Sequence, residues 1–198
     1  MMQMKNWSRD QKLTTTGILV AVTIGVITII ITLCVPEIRK WLGLDSSLLL
    51  YEHKDPGISI KYPEDWNKQV SSNAVSKEVV EFLSPKESDS DTFQERLIVI
   101  VEPANMSLEE YTKSSKQEIS KLNKNAIFVK ESDYPLADKT GYRVIYTSSD
   151  SQHNLKKMEV WTLKNYQAYS ITYEAEADKF DKFLPMVEKM IKSLQIQE

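Results

Sequence analysis

The sequence is poor in the residues that form covalent cross-links and most catalytic sites. Its 198 residues include one cysteine, Cys34, and two histidines, His53 and His153. A single cysteine excludes an intramolecular disulfide and says nothing about the redox compartment. Gly-rich phosphate loops, His-Glu-x-x-His and Gly-x-Ser-x-Gly are also absent from the sequence. These absences predict a protein that is not an enzyme, unless the fold brings acidic side chains together in a polar pocket.

The two parts of the chain differ in the sign of their net charge. Residues 1–44 contain five basic and two acidic residues, a net charge of +3, whereas the whole chain carries −3. The remaining 154 residues therefore carry a net charge of −6. Because nucleic-acid binding needs a basic surface, this acidic part predicts no nucleic-acid partner.

An uncharged run of 23 residues extends from Leu13 to Val35. As a helix it would be about 34 Å long, enough to cross a hydrocarbon core of about 30 Å. Trp7 and Trp41 flank the run, where interfacial aromatic residues are enriched. The sequence thus predicts a tail at 1–12, a transmembrane helix at 13–35, and a juxtamembrane stub and linker at 36–50.

Three other interpretations of this run fit less well. A cleaved signal peptide has a shorter apolar core and a small-x-small cleavage site, which the residues after Val35 do not provide. A lipoprotein needs small residues before its cysteine, and Ile31, Thr32 and Leu33 precede Cys34. A buried core helix rarely extends this far without a charge. We therefore expect the lipid bilayer to be a partner of the intact chain.

The charges beside the run predict its orientation. Three basic residues precede the span and two closely follow it. The positive-inside rule then puts the N-terminus in the cytoplasm, by a margin of one charge. This predicts a single-pass protein of a plasma, inner or thylakoid membrane, with its soluble domain on the periplasmic or lumenal side.

The soluble part alternates between strand-like and helical patterns. Apolar and polar residues alternate from Gly57 to Tyr62, and the β-branched run Leu97–Val101 predicts a central strand buried on both faces. A capping box opens a helix at Ser107, and an amphipathic pattern predicts a second helix over about 178–194, starting late or bending at Pro185. These elements predict an α+β fold, with an antiparallel sheet of about six strands covered by helices.

The first strand and its exit resemble a known family. Gly57 opens a strand that runs into Pro63 and then Trp66, which resembles the opening strand and Pro-x-x-Trp motif of PsbP-like domains. The segment at 81–85 is similar to the next strand of that family.

Three later segments extend the resemblance over residues 51–196. The capped helix at 107–111 resembles that of the family, and the segment at 137–146, with Gly141 at its turn, resembles the central hairpin. The closing segment at 183–196 is similar to the last helix. The resemblance implies the α/β/α sandwich of the Mog1/PsbP group, preceded here by an added transmembrane anchor.

The same resemblance implies a function. Members of this group include extrinsic proteins of photosystem II, assembly factors, bacterial envelope proteins and a Ran-binding protein. It implies a non-enzymatic, membrane-tethered binding module beside a membrane protein complex, assisting the assembly or maintenance of photosystem II. The alternative is an envelope sensor or transport-accessory module of the same fold. No cofactor is expected, and an association with calcium is implied by the resemblance only.

Glu87, Asp89 and Asp91 are weak candidates for metal ligands. They occupy alternate positions, as do the first carboxylates of a calcium loop. Thr92 stands where such a loop has glycine, and Ile98 stands where it has a bidentate glutamate. The favoured interpretation is a solvated acidic loop, with a weak divalent-ion contact as the alternative.

Two further interpretations concern single residues. Trp66 and Trp161 are the large aromatic residues of the domain, and core packing is expected for both, with an exposed anchor in a protein interface as the alternative. Gly141 follows Asp138-Lys-Thr, and a turn there predicts a positive φ angle at the glycine.

We expect the intact protein to remain in the membrane fraction after washes with high salt and with alkaline carbonate. The 23-residue uncharged run is stable only when buried in lipid, and neither wash removes such a helix. The measurement is an immunoblot of pellet and supernatant. Release of the full-length chain by either wash would refute the transmembrane helix.

Overall fold

The computed structural model describes residues 47–71, 77–149 and 152–197. The predicted tail, the transmembrane helix at 13–35 and the flanking Trp7 and Trp41 lie outside these residues. Within the described ranges, no helix has the length and hydropathy needed to cross a bilayer. The described part contains ten strands, β1 to β10, and two helices, α1 and α2.

A small sheet forms from both ends of the described chain. Its strands are β1 (Leu48–Lys54), β2 (Gly57–Pro63) and β10 (Gln195–Ile196), in the antiparallel order β1-β2-β10. The first strand therefore begins three residues before the predicted domain start at residue 51. The predicted linker was wrong there because the three leucines of β1 pair with β2 although their side chains are exposed.

The large sheet has seven antiparallel strands. Their order is β3-β4-β5-β9-β8-β7-β6, one more strand than predicted. The additional strand is β3, a short, fully exposed edge strand without an apolar pattern. The bounds are β3 (Asn67–Val70), β4 (Glu78–Leu83), β5 (Arg96–Pro103), β6 (Ile127–Asp133), β7 (Gly141–Ser149), β8 (Asn154–Lys164) and β9 (Gln167–Glu176).

Helix α1 (Leu108–Leu122) covers part of one face of the large sheet. Its predicted capping box is confirmed, since the Ser107 hydroxyl accepts from the Glu110 N–H and the Glu110 carboxylate accepts from the Ser107 N–H. Tyr111 and Ile119 point to the sheet and are buried. Leu122, at the last helical position, is 73% exposed.

Helix α2 (Phe180–Lys192) packs on the opposite face of the large sheet, together with the small sheet. The helix starts before Pro185 and includes it, so the predicted late start is wrong. Alternate residues of β9 point to opposite faces, so Ile171 and Tyr173 join this core while Ser170 and Thr172 face α1. Fully buried members of the main core include Ile58, Ile60, Phe82, Leu97, Val99, Val160, Phe180, Val187, Met190 and Ile191.

Gly57, Pro63 and Trp66 lie at the edge of this main core. Gly57 and Pro63 begin and end β2, and the Trp66 N–H donates to the Pro63 carbonyl at 3.0 Å. Trp66 is buried and packs edge-on against Phe183 of α2, with ring centroids 6.3 Å apart. Core packing is therefore the role of Trp66 in this fold.

The predicted central strand at 97–101 is buried fully on one face only. Leu97 and Val99 have no exposed surface, whereas Ile98 and Ile100 on the α1 side are partly exposed. The prediction of burial on both faces was wrong because α1 does not fully cover this part of the sheet.

Gly141 has a different role from the one predicted. It is the first residue of β7 and its φ is not positive; the positive φ angles of this turn belong to Ala137 and Asp138. A Cβ atom at Gly141 would lie 2.5 Å from the Trp161 carbonyl oxygen and 2.7 Å from that of Tyr134. Glycine is needed at this position because two backbones approach closely.

Gly141→Ala should therefore destabilise the protein by about 1–3 kcal/mol, since the added methyl group forces rigid backbone apart. The matched control is Gly57→Ala, where the new Cβ would meet the Gln197 side chain near the chain end at 3.0 Å. Urea unfolding of both variants measures the difference. A loss in Gly141→Ala that is no larger than the loss in Gly57→Ala would show that the two backbone carbonyls near Gly141 add no cost of their own.

Candidate functional site

One tryptophan positions α1 on the sheet. Trp161 of β8 is 1% exposed, and its indole N–H donates to the Thr112 hydroxyl of α1 at 2.9 Å. The Tyr111 ring packs edge-on against the same indole, with centroids 6.2 Å apart. Trp161 is thus a core residue, as expected, and it sets where the helix crosses the strands.

A polar groove of about 320 Å³ remains between α1 and strands β5, β7, β8 and β9. Such a volume is at the lower end of the range for small-ligand sites. The groove is lined by Lys77, Ile100, Glu102, Tyr111, Ser115, Glu118, Ile119, Leu122, Asn123, Tyr146, Lys157, Glu159, Ser170 and Thr172.

Strand register brings the floor of the groove together. Glu159 of β8 is paired with Thr172 of β9 on one side and with Val144 of β7 on the other. Paired residues of antiparallel strands point to the same face, as do residues two apart on one strand. Ser170, Thr172 and Glu159 therefore share the face on which α1 lies.

Two tyrosine–carboxylate pairs cross the groove. The Tyr111 hydroxyl donates to Glu102 Oε1 at 2.8 Å and lies 3.2 Å from the Ser170 hydroxyl. The Tyr146 hydroxyl donates to Glu159 Oε1 at 2.7 Å. Burial raises the pKa of both tyrosines, and the neighbouring carboxylates raise it further. Both phenols therefore act as neutral hydrogen-bond donors.

Glu159 has a pKa raised above its ordinary value, chiefly because burial disfavours the charged carboxylate. The hydrogen bond from Tyr146 and the nearby Lys157 ammonium oppose this effect. Glu118 of α1 and Glu174 of β9 add to it through like-charge repulsion. A carboxyl group with a perturbed pKa inside a concave polar surface is typical of a functional site.

The lysines at the groove are already engaged by other carboxylates. Lys77 at its mouth forms a salt bridge with Glu102. Lys157 on its floor lies 2.7 Å from Glu174, which is 5% exposed and also binds Arg96 at 2.7 Å. The groove therefore keeps a negative balance.

A second depression, of about 530 Å³, lies between the outer side of α1 and Phe128 of β6. Apart from Phe128, all the residues that line it belong to α1. It gathers no polar groups from several strands, so the groove is the better candidate site.

The acidic loop that was the candidate metal site lies elsewhere, against the start of α2. Lys179 Nζ is 3.2 Å from Asp91, 3.4 Å from Glu87 and 2.8 Å from Glu176. These contacts, led by the hydrogen bond to Glu176, raise the pKa of Lys179 to about 12. An ammonium group thus lies among the carboxylates, whereas Asp89 is exposed.

Buried Glu95 completes this cluster. Its Oε2 accepts a hydrogen bond from the Ser84 hydroxyl at 2.9 Å, and its Oε1 lies 3.9 Å from Lys179 Nζ. Burial raises the pKa of Glu95. No group of three or more histidine, cysteine, aspartate or glutamate side chains within residues 47–71, 77–149 and 152–197 could hold a metal ion.

Comparison with known proteins reveals the fold. No family model matches the chain, and no curated protein matches its sequence. Among solved structures, cyanobacterial PsbP (CyanoP) from Synechocystis sp. PCC 6803 has 16% identity and a TM-score of 0.60, covering 77% of this chain and 94% of its own. The chain has the PsbP/Mog1 fold.

Two further structures with this fold come from unrelated settings. LpqN, involved in cell envelope biogenesis of Mycobacterium tuberculosis, has 11% identity and a TM-score of 0.59, covering 78% of this chain and 92% of its own. The Ran-binding protein Mog1p of Saccharomyces cerevisiae has 10% identity and a TM-score of 0.55, covering 77% and 96%. At these identities the likeness concerns the PsbP/Mog1 fold alone.

No sequence motif marks the groove in this fold. Its floor carboxylates, Glu102 and Glu159, are isolated in sequence and match no motif. A signal was present, since Glu159 lies two residues before Trp161, on the same face of the strand, and Trp161 is a large aromatic residue expected in the core. A charged residue at an inward-facing strand position is costly unless it has a partner or a function.

Glu159→Gln should stabilise the protein at pH 8 by an amount on the order of 1 kcal/mol, a typical single-residue effect. Because the folded pKa of Glu159 is raised, the native state binds more protons than the unfolded state between the two pKa values, so wild-type stability falls as pH rises through that window. The difference should vanish at low pH, where both states hold the protonated acid. Urea unfolding from pH 4 to pH 8 measures it.

The control is Glu109→Gln, the same change at an exposed position of α1 away from the groove. It should show little dependence on pH. A Glu159→Gln variant that is less stable than wild type at pH 8 would mean that the carboxylate is stabilised in the fold.

Proposed function

We propose that the chain is a non-enzymatic accessory module that binds a protein partner beside a membrane. The observation that supports this most directly is the groove, where one helix and four strands bring hydrogen-bonding and charged groups to a concave surface. A surface of this kind, with apolar and polar groups side by side, suits the recognition of another molecule.

The same groove bears on the enzyme alternative, because it brings acidic side chains together. Its residues include no histidine or cysteine, the Glu102 carboxylate is engaged by both Lys77 and Tyr111, and the Glu159 carboxylate accepts a hydrogen bond from Tyr146. Acid–base catalysis needs a carboxyl group within reach of a reacting atom and free to exchange a proton. Binding is therefore the favoured role.

Membrane tethering is part of the proposal. The uncharged run at 13–35 would hold the domain at the surface of a plasma, inner or thylakoid membrane, on the periplasmic or lumenal side. Confinement raises the effective concentration of a membrane-bound partner, so a weak contact suffices for stable association.

The proposed partner is a membrane protein complex, and photosystem II during its assembly or maintenance is the first candidate. The similarity to cyanobacterial PsbP supports it. The second candidate is an envelope complex, with the chain acting as a sensor or transport accessory. The similarity to LpqN, a protein of cell envelope biogenesis, has nearly the same TM-score and supports this alternative.

Affinity capture of the tagged full-length protein from membranes solubilised in a non-ionic detergent tests the proposal. Mass spectrometry should identify photosystem II subunits or assembly proteins, and deletion of the gene should lower the amount of assembled photosystem II. Recovery of envelope transport or biogenesis proteins would favour the second candidate.

The control bait carries residues 1–46 fused to an unrelated soluble domain. Proteins captured by both baits are neighbours of the anchor and do not count as partners of the domain. Identical sets of captured proteins from the two baits would contradict a binding role for the PsbP/Mog1-fold domain.

A further inference from the structure

We propose that the groove between α1 and the sheet binds a basic side chain, arginine or lysine, of the protein partner. This inference rests on the proposed function, because it names the chemistry that the partner presents to the domain. Glu159 on the floor and Glu118 on the wall are the groups that would receive the cation.

The charge balance of the groove favours a cation. Neither Glu118 nor Glu159 has a basic side chain within 4.0 Å in the described part of the chain. The nearby cations are held elsewhere, Lys77 by Glu102 and Lys157 by Glu174. Neither Glu118 nor Glu159 is therefore held in a salt bridge within the described part of the chain, and an incoming ammonium or guanidinium group would form one.

The size and the apolar parts of the groove favour a side chain. A volume of about 320 Å³ suits a group smaller than most cofactors. Ile100 and Ile119 line the interior, and Leu122 is 73% exposed at the rim. The methylene stem of a lysine or arginine could pack on these residues while its charged end reaches the carboxylates.

Other ligand classes fit less well. An anion would be repelled by the negative balance of the groove. A metal ion would need more converging ligands than residues 47–71, 77–149 and 152–197 offer. The exposed rim around Leu122 also leaves room for the backbone of an extended partner segment to lie across the mouth.

The proposal carries a pH dependence. A bound cation stabilises the ionised carboxylate, so affinity should rise with pH until Glu159 is fully ionised. The charged and titratable groups around Glu159 are Glu118 from α1, Glu174 from β9, Tyr146 from β7 and Lys157 on its own strand. Glu174 is held between Arg96 and Lys157, which leaves Glu118 and Glu159 as the groups that respond to an incoming cation.

The test uses the full-length protein in maltoside micelles, with isoleucine methyl groups labelled for NMR. The probe is an acetylated, amidated Gly-Arg-Gly peptide, and its matched control replaces arginine by citrulline, which has nearly the same shape and no charge. The arginine peptide should shift the Ile100 and Ile119 methyl signals and leave Ile58, in the opposite core, unchanged.

The groove variants test the residues. Glu118→Gln and Glu159→Gln should each weaken arginine-peptide binding about tenfold, the effect of losing a charge-assisted contact of about 1.4 kcal/mol. Glu109→Gln, exposed on the same helix outside the groove, should bind like wild type. Glu118 is exposed, so Glu118→Gln should leave the fold intact. It therefore tests the carboxylates even if Glu159→Gln perturbs the fold.

Two results would overturn the inference: equal shifts with the arginine and citrulline peptides, or no shift of the groove methyl groups up to the solubility of the peptide. A wild-type chain that captures a partner equally well as the Glu118→Gln, Glu159→Gln double variant would also overturn it, while the proposed function would stand. If the arginine peptide binds but affinity capture recovers no partner, the result would support binding of a basic side chain in the groove and would count against the accessory role.

Discussion

The hydrogen bond from the Trp161 indole to the Thr112 hydroxyl determines how the rest of this face is arranged. A fully buried indole N–H needs a partner, and the partner lies on α1, so the helix is held over the strand that carries Trp161. Tyr111, one residue before Thr112, then reaches Glu102 across the sheet. The part of the sheet face that α1 does not cover becomes the groove.

The two faces of the large sheet are built from the same strands and have opposite chemistry. On one face, Ile171 and Tyr173 of β9 are fully buried in the core beneath α2. On the other, Thr172 and Glu174 alternate with them and face charged neighbours. A mutation in β9 should therefore affect stability when the side chain points to the core and recognition when it points to the groove, so adjacent positions differ in their effect.

Local patterns in the sequence predicted the elements that depend on local physics. The capping box at Ser107 located α1 to within one residue, because its hydrogen bonds connect residues three apart. The groove depends on contacts between different elements, which no local pattern reveals. Glu102 meets Tyr111 because α1 packs on the sheet, and Tyr146 meets Glu159 because β7 pairs with β8. The need for glycine at 141 likewise arises from the distant Trp161 carbonyl, which no turn pattern reveals.

Lys179 has a consequence for how this protein responds to its ionic surroundings. Its ammonium group lies among Asp91, Glu87 and Glu176 as a counter-ion that is part of the same chain. A covalently attached cation cannot be removed by chelators or diluted away, because its effective concentration is set by the fold. Lys179 thereby supplies, from within the chain, the positive charge that the acidic loop would otherwise draw from its surroundings.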